Sequence, residues 1–138
     1  YFCGLGNFSL ALASAGARVI GVDVGEAMLR RASQQAKTLG LAIEYRNADL
    51  FDAENIVLDA TSHKVLLDPP RAGAKALCEV LAQSKTVQTI VYVSCDPATL
   101  ARDLAILQQG GFAVADAVMA DMFPQTYHLE SLVHLTRN

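Results

Sequence analysis

Thr89-Ile-Val-Tyr-Val-Ser-Cys-Asp-Pro-Ala-Thr-Leu100 is the stretch that decides the fold. Residues 89–94 are rich in β-branched and apolar side chains, as a parallel strand covered on both faces should be. Asp96 suits the N-cap of a helix and Pro97 its first turn, so strand gives way to helix within two residues. Cys95 sits at that junction, on the carboxyl edge of a parallel sheet, where open α/β folds keep their ligands. The amides and dipole of the new helix point towards the sulfur and favour a thiolate, an effect that the Asp96 carboxylate partly offsets. A lone cysteine can equally be a small core hydrophobe. Other parts of the chain must decide between the two.

Working outward, strand and helix patterns alternate up to Gly110. Gly4-Leu-Gly6 reads as a turn, and Asn7 to Ala15 as a short alanine-rich helix stopped near Gly16. Arg18 to Asp23 is a strand. Glu26 to Thr38 is amphipathic, with Ala27, Met28, Ala32 and Leu39 expected inward and Gly40 as a stop. Ala42 to Asn47 alternates like a strand. Phe51 to Thr61 has no clear period and leaves room for a short helix. Lys64 to Asp68 is a strand closed by Pro69-Pro70, which cannot continue a ladder. Ala74 to Gln83 and Pro97 to Gln109 read as helices, Phe112 to Met119 and Leu129 to Thr136 as strands. Such alternation means parallel βαβ units. The last two strands lack a helix between them and should pair as an antiparallel hairpin. The expectation is a Rossmann-like α/β sheet, mostly parallel, over a single domain, residues 1–138. Tyr1-Phe2-Cys3 reads as the end of a truncated first strand, so a fragment of a longer protein is expected.

Composition narrows the class. The chain has 138 residues, 52% hydrophobic and 18% charged, which suits one domain with a largely buried sheet. No apolar run reaches transmembrane length and no signal peptide is visible. Cys3, Cys78 and Cys95 are odd in number and far apart, so they suggest neither a disulfide framework nor a metal cluster, and they point to a reducing cytoplasm. The formal net charge of −3 leaves no basic footprint for nucleic acid. A polyanionic substrate would need basic surface from elsewhere.

Gly4-x-Gly6 after a strand and before a helix is a nucleotide-cofactor turn, because small residues let a ligand approach the backbone. Asp23 ends the next strand, where a carboxylate can accept adenosine ribose hydroxyls. Ser9 stands where the third dinucleotide glycine would be, which disfavours a pyrophosphate cofactor and leaves room for S-adenosylmethionine. Asp49, just past the third strand, could hold the adenine amine or a neighbouring group. A structural turn with a surface carboxylate is the plainer reading.

Asp68-Pro-Pro-Arg71 leaves its strand on the sheet edge expected to carry the glycine turn. Two prolines aim the carboxylate at low entropic cost. Asp68 could accept from a base N–H or a cofactor ammonium, and Arg71 could bind phosphate or a carboxylate. In Leu129-Glu-Ser-Leu-Val-His-Leu135 a charge opens an otherwise apolar strand. Glu130 can therefore face the same cleft as Cys95, although a solvated strand end would look alike. His128 falls on the same face as Glu130 and could orient substrate or loop.

Taken together, Phe-Cys-Gly-Leu-Gly-Asn-Phe, Leu-Asp-Pro-Pro-Arg-Ala-Gly, Val-Ser-Cys-Asp-Pro-Ala-Thr-Leu-Ala-Arg-Asp-Leu and Asp-Met-Phe-Pro-Gln-Thr-Tyr-His-Leu-Glu resemble the RNA 5-methyluridine methyltransferase family over the whole chain. The resemblance implies a class I S-adenosylmethionine-dependent catalytic domain. By that likeness Phe2, Gly4, Gly6, Asn7, Asp23, Asp49 and Asp68 line the cofactor site, Cys95 is the nucleophile and Glu130 the base, with Asp68, Arg71 and His128 towards substrate. The family usually has Asn where Asp96 stands, and Asp caps a helix equally well. Its members carry an upstream RNA-binding portion, often a β-barrel and sometimes an iron–sulfur cluster, which these residues lack. The implied chemistry is addition of Cys95 to uracil C6, methylation at C5 and removal of the C5 proton by Glu130, on a base flipped out or unpaired. The loop ending in His128-Leu-Glu130 looks more like the 23S rRNA branch than the tRNA branch.

Three other readings compete. An RNA 5-methylcytosine methyltransferase would place a second cysteine where Pro70-Arg71 stands. An amino-group methyltransferase would follow Asp-Pro-Pro with an aromatic residue. A non-catalytic Rossmann-like binding module would not need the Cys95, Glu130 and Asp68 set.

Overall fold

The computed structural model describes residues 1–121 and 129–137. The chain divides into two compact units, Tyr1–Leu50 and Phe51–Asn138.

The first unit runs α1 (Asn7–Ser14), β1 (Val19–Asp23), α2 (Glu26–Thr38) and β2 (Ile43–Asn47). β1 and β2 pair in parallel from Val19 opposite Ile43 to Asp23 opposite Asn47, so α2 is the crossover of a βαβ unit. The α2 face that turns inward is Leu29, Ala32 and Ala36, an i, i+3, i+7 stripe. This corrects the expected face: only Ala32 of that set is buried, while Met28 and Leu39 are 41% and 57% exposed and Ala27 is exposed. Leu29 was the better anchor, one position along. Ahead of this unit's helices, Tyr1–Cys3 form no strand, but the Cys3 amide donates to the Val22 carbonyl at 3.2 Å, a single ladder-like bond beside β1.

The second unit opens with a 3₁₀ turn (Ala53–Asn55) and continues through β3 (Lys64–Leu67), α3 (Lys75–Gln83), β4 (Thr89–Ser94), α4 (Pro97–Gln109), β5 (Phe112–Ala120) and β6 (Glu130–Arg137). The strands lie in the order β3-β4-β6-β5. β3 and β4 are parallel, and β6 is antiparallel to both β4 and β5. The expected mostly parallel order with an antiparallel final hairpin is therefore present, with β6 inserted beside the Cys95 strand.

Leu67, Leu77, Leu81, Ile90, Tyr92, Leu107 and Leu135 are all fully enclosed and form the core of this unit. Each such aliphatic side chain contributes roughly 1.5–3 kcal/mol through burial. β4 does not have two equally buried faces, contrary to expectation. Ile90, Tyr92 and Ser94 are buried, whereas Thr89, Val91 and Val93 are only half-buried. The enclosed face is the one Tyr92 shares with α4, where its hydroxyl donates to Asp103.

Candidate active site

Three strand ends meet on one edge of the four-stranded sheet. Asp68 follows the last residue of β3, Cys95 follows the last residue of β4, and Glu130 opens β6, which runs the other way. The β4–β6 register ends with Ser94 opposite Ser131. Cys95 lies just past that last pair at the end of β4, and Glu130 just before it at the start of β6. Asp68 belongs to the same group. Its proton is held more tightly than usual, first by partial burial and then by the negative charge of Glu130. Two carboxyls thus flank the strand end that carries the thiol.

The backbone around Cys95 is pinned on both sides. Ser94 Oγ accepts from the Asp96 amide at 3.1 Å and donates to the Asp96 carbonyl at 3.0 Å. Asp96 is the N-cap of α4, as expected, with Oδ1 accepting from the Ala98 and Thr99 amides at 3.0 and 2.9 Å. Its carboxyl proton is accordingly easier to lose, chiefly through the bond from the Thr99 amide, with the nearby Arg71 charge adding to it. The expected pull of the helix amides on the sulfur needs correction here. Those two amides are directed at Asp96, so Asp96 rather than Cys95 takes their stabilisation.

The loop after Asp68 is held from α4 by side chains that the sequence reading passed over. Thr99 Oγ1 donates to the Arg71 carbonyl at 3.0 Å, and Arg102 Nη2 donates to the Ala72 carbonyl at 2.9 Å. Asp103 Oδ2 accepts from the Ala74 amide and from Tyr92 Oη, both at 2.6 Å. Asp103 Oδ1 accepts from Arg102 Nε at 2.9 Å and lies 2.8 Å from Arg102 Nη2. Asp103 is fully enclosed. Burial, and then the bond to Asp103, keep the Tyr92 phenol protonated. Gly73 lets the loop lie this close: its φ is +75°, and a Cβ there would stand 2.6 Å from both Arg102 Nη2 and Asp103 Oδ2. The overlooked signal was periodic, since Leu100, Asp103 and Leu107 form one buried stripe of α4 with a charge in it.

In the first unit the glycine turn and Asp23 form one device. Asp23 is 8% exposed and accepts from the Gly4 amide through Oδ2 at 2.9 Å and from the Gly25 amide through Oδ1 at 2.8 Å. The turn carries positive φ at Gly4 (+51°) and Gly6 (+83°), and a Cβ on Gly6 would lie 2.6 Å from Tyr45 Oη. Gly6 caps α1 with no side-chain bond, so the first turn of the helix starts without a side-chain cap. Asn7 is the first residue of that helix and is exposed, Phe2 is half-buried, and Asp49 is exposed just beyond β2. Asn47 Nδ2 donates to the Asp23 and Val24 carbonyls at 3.3 and 2.9 Å, which ties the two strand ends together. A carboxylate with lone pairs to spare, a helix start without a side-chain cap and a turn open at Gly4 suit an adenosine bearing hydroxyls and a charged tail. Asp68 and Arg71 lie in the other unit, Arg71 exposed and Asp68 exposed as a residue though its carboxyl is partly shielded from water. His128 lies outside the described residues. Among the described residues no group of three or more His, Cys, Asp or Glu could hold a metal ion.

The profile of the tRNA (Uracil-5-)-methyltransferase family matches residues 1–138. The chain is 47% identical over 99% of its length to the 23S rRNA (uracil(1939)-C(5))-methyltransferase RlmD of Aromatoleum aromaticum. It is 48% identical, again over 99%, to the enzyme of the same name from Chromohalobacter salexigens. It spans 33% and 28% of those two relatives, about a third of their length. Among solved structures, the tRNA (uracil-54, C5)-methyltransferase of Pyrococcus abyssi in complex with S-adenosyl-L-homocysteine superposes with a TM-score of 0.85 at 33% identity, over 98% of this chain and 33% of that one. The magnesium protoporphyrin IX methyltransferase of Synechocystis, at 24% identity and a TM-score of 0.76 over 99% of this chain and 67% of that one, shares the fold. With a match that runs from the first residue to the last, this chain belongs to the tRNA (uracil-5-)-methyltransferase family.

Proposed function

We propose that this chain is the catalytic part of a longer enzyme that methylates uridine at C5 in RNA, with 23S rRNA as the substrate. The observation that carries the reading is one sheet edge shared by three strand ends, where Asp68 follows β3, Cys95 follows β4 and Glu130 opens β6. The RNA is inferred from the two relatives named for 23S rRNA, and the missing remainder from the third of their length that the chain spans. RNA contacts are assigned to that remainder, since these residues carry a net charge of −3. No helix among the described residues is long and apolar enough to cross a membrane, and a cytoplasmic site of action fits an enzyme of ribosomal RNA.

The cofactor is S-adenosylmethionine, which when bound supplies a methyl group as an electrophile. Asp23 accepts the ribose hydroxyls while still holding the Gly4 amide, and Asp49 lies at the neighbouring strand end to receive the adenine side. Phe2 and Asn7 border the turn. On the substrate side, uracil C5 is a poor nucleophile until a group adds at C6. The Cys95 thiol gives up its proton to solvent as its sulfur forms a bond to C6, and the C5–C6 π electrons move to C5 and the C4 carbonyl oxygen, making C5 nucleophilic. After C5 carries the methyl group, Glu130 removes the remaining C5 proton, the C5–C6 double bond returns and the C6–S bond breaks, releasing Cys95. Asp68, which keeps its proton more readily than an ordinary aspartate, can meet either a donor or an acceptor on the uracil edge. Arg71 and His128 complete the substrate side.

Incubating the full-length gene product with methyl-labelled S-adenosylmethionine and a 23S rRNA transcript tests this reading. The label should appear as 5-methyluridine, and RNA containing 5-fluorouridine should leave a mass adduct on the Cys95 peptide. Label in 5-methylcytosine or on an exocyclic amine would overturn it in favour of a competing methyltransferase.

A further inference from the structure

We propose that Asp103, acting with Arg102 and Thr99, is a positioning group that sets the Asp68–Arg71 segment against the Cys95 strand during methyl transfer. The inference depends on the reaction proposed above. Asp103 is fully enclosed, so it touches no substrate and can act only through its partners. Those partners come from three places that the chemistry must hold together. Tyr92 belongs to the strand that delivers Cys95, Arg102 to the helix that Cys95 precedes, and Ala74 to the stretch that follows Asp68, while Thr99 of the same helix holds the Arg71 carbonyl.

The pattern is too particular for a device that only stabilises. A leucine at position 103 would continue the apolar stripe of Leu100 and Leu107 without the desolvation cost of a buried carboxylate. Instead, positions 99, 102 and 103, on one face of α4, take up the Arg71 carbonyl, the Ala72 carbonyl and the Ala74 amide in turn. A loop turning at Gly73 cannot satisfy these groups with a ladder of its own. Pro69 and Pro70 then transmit the fixed end to Asp68 as a stiff link. Holding residues 71–74 therefore fixes both side chains on the substrate side, relative to a strand that the same carboxylate grips through Tyr92. A misplacement of about 1 Å between reacting groups can cost on the order of 100-fold in rate.

The test compares Asp103→Asn, Thr99→Val and Leu107→Ala in the full-length gene product, with every rate normalised to the amount of enzyme that forms the 5-fluorouridine adduct. Asp103→Asn turns an amide nitrogen towards Arg102 or Ala74 and should lower kcat by about 10- to 100-fold. Thr99→Val releases the Arg71 carbonyl and should lower kcat in the same direction by about 3- to 10-fold. Thr99→Val also carries the test if Asp103→Asn does not fold. Leu107→Ala opens a cavity on the same helix away from the loop; it should lower Tm and leave normalised kcat unchanged. Normal normalised kcat in both Asp103→Asn and Thr99→Val, beside an active unsubstituted enzyme, would overturn the inference alone. So would a loss of kcat in Leu107→Ala matching that of Asp103→Asn. No methyl transfer by the unsubstituted enzyme would refute the proposed reaction and this inference with it.

Discussion

Replacing Asp23 by alanine should damage two properties at once, because one carboxylate serves both the turn and the ligand. Its oxygens take the Gly4 and Gly25 amides at 2.9 and 2.8 Å. Hydrogen bonds to a charged group contribute about 1.5–3 kcal/mol each, so two of them set an upper range of about 3–6 kcal/mol. The amides are only partly buried, water replaces part of the loss, and removing a nearly enclosed carboxylate relieves its desolvation. A net destabilisation of about 2 kcal/mol remains. With a urea slope of about 1–3 kcal/mol per molar, the midpoint of the 138-residue chain should fall by roughly 1 M. Asp23→Asn keeps one acceptor and should fall about half as far. Calorimetry on the full-length protein should show S-adenosylmethionine bound about 5- to 150-fold more weakly by Asp23→Ala, the equivalent of about 1–3 kcal/mol. An unchanged urea midpoint would refute the turn-holding role, and an unchanged affinity would refute the ligand role.

Two further outcomes follow from the titrating groups. Burial pushes the Cys3 thiol up to about 11, and burial with the Asp103 charge pushes the enclosed Cys78 thiol up as well, so mild alkylation at pH 8 should map first to Cys95 by peptide mass; modification of Cys78 ahead of Cys95 in the folded chain would contradict the packing. Asp68, whose proton is held more tightly in the folded chain, stabilises the fold while protonated and loses that contribution as pH rises through its folded pKa. Asp68→Asn should therefore be more stable than the unsubstituted chain at pH 8, with the gap closing as pH falls through the range where carboxylates take up protons, and a Tm difference that stays constant from pH 4 to 8 would rule this out.

Much of the fold could be read from local chemistry. Glu26–Thr38 and Pro97–Gln109 have the expected helix bounds because their signals are local: Asp96 and Pro97 start one, and Gly40 and Gly110 stop them. The strand edge was legible for the same reason, since Pro69-Pro70 and Asp96-Pro97 end their ladders wherever the strands lie in space. What escaped depended on distant partners. The inward face of α2 was misjudged by one position because Ala27 and Met28 offer a competing apolar stripe that only β-sheet packing can reject. The neighbour of β4 was open in the sequence, and only the strand pairing reveals β6 beside it, with Glu130 on the same sheet edge as Cys95. Asp103 was missed because its partners lie 29 and 11 residues away along the chain. The capping role of Asp96 was foreseen, together with its offset of the helix's pull on the sulfur, because an N-cap signal is local.

The central claim is that Cys95 and Glu130 act in sequence on one uracil, and the species trapped by two variants tests it most directly. Cys95→Ala removes the bond-forming sulfur, so neither methyl transfer nor a covalent RNA complex should form. Glu130→Gln leaves addition and methylation possible but removes the acceptor for the C5 proton, so methylated RNA should stay attached to protein. It should appear as a slow-migrating band on a denaturing gel, with the methyl label in the band. Normal turnover by Glu130→Gln, or a labelled covalent band from Cys95→Ala, would contradict the account.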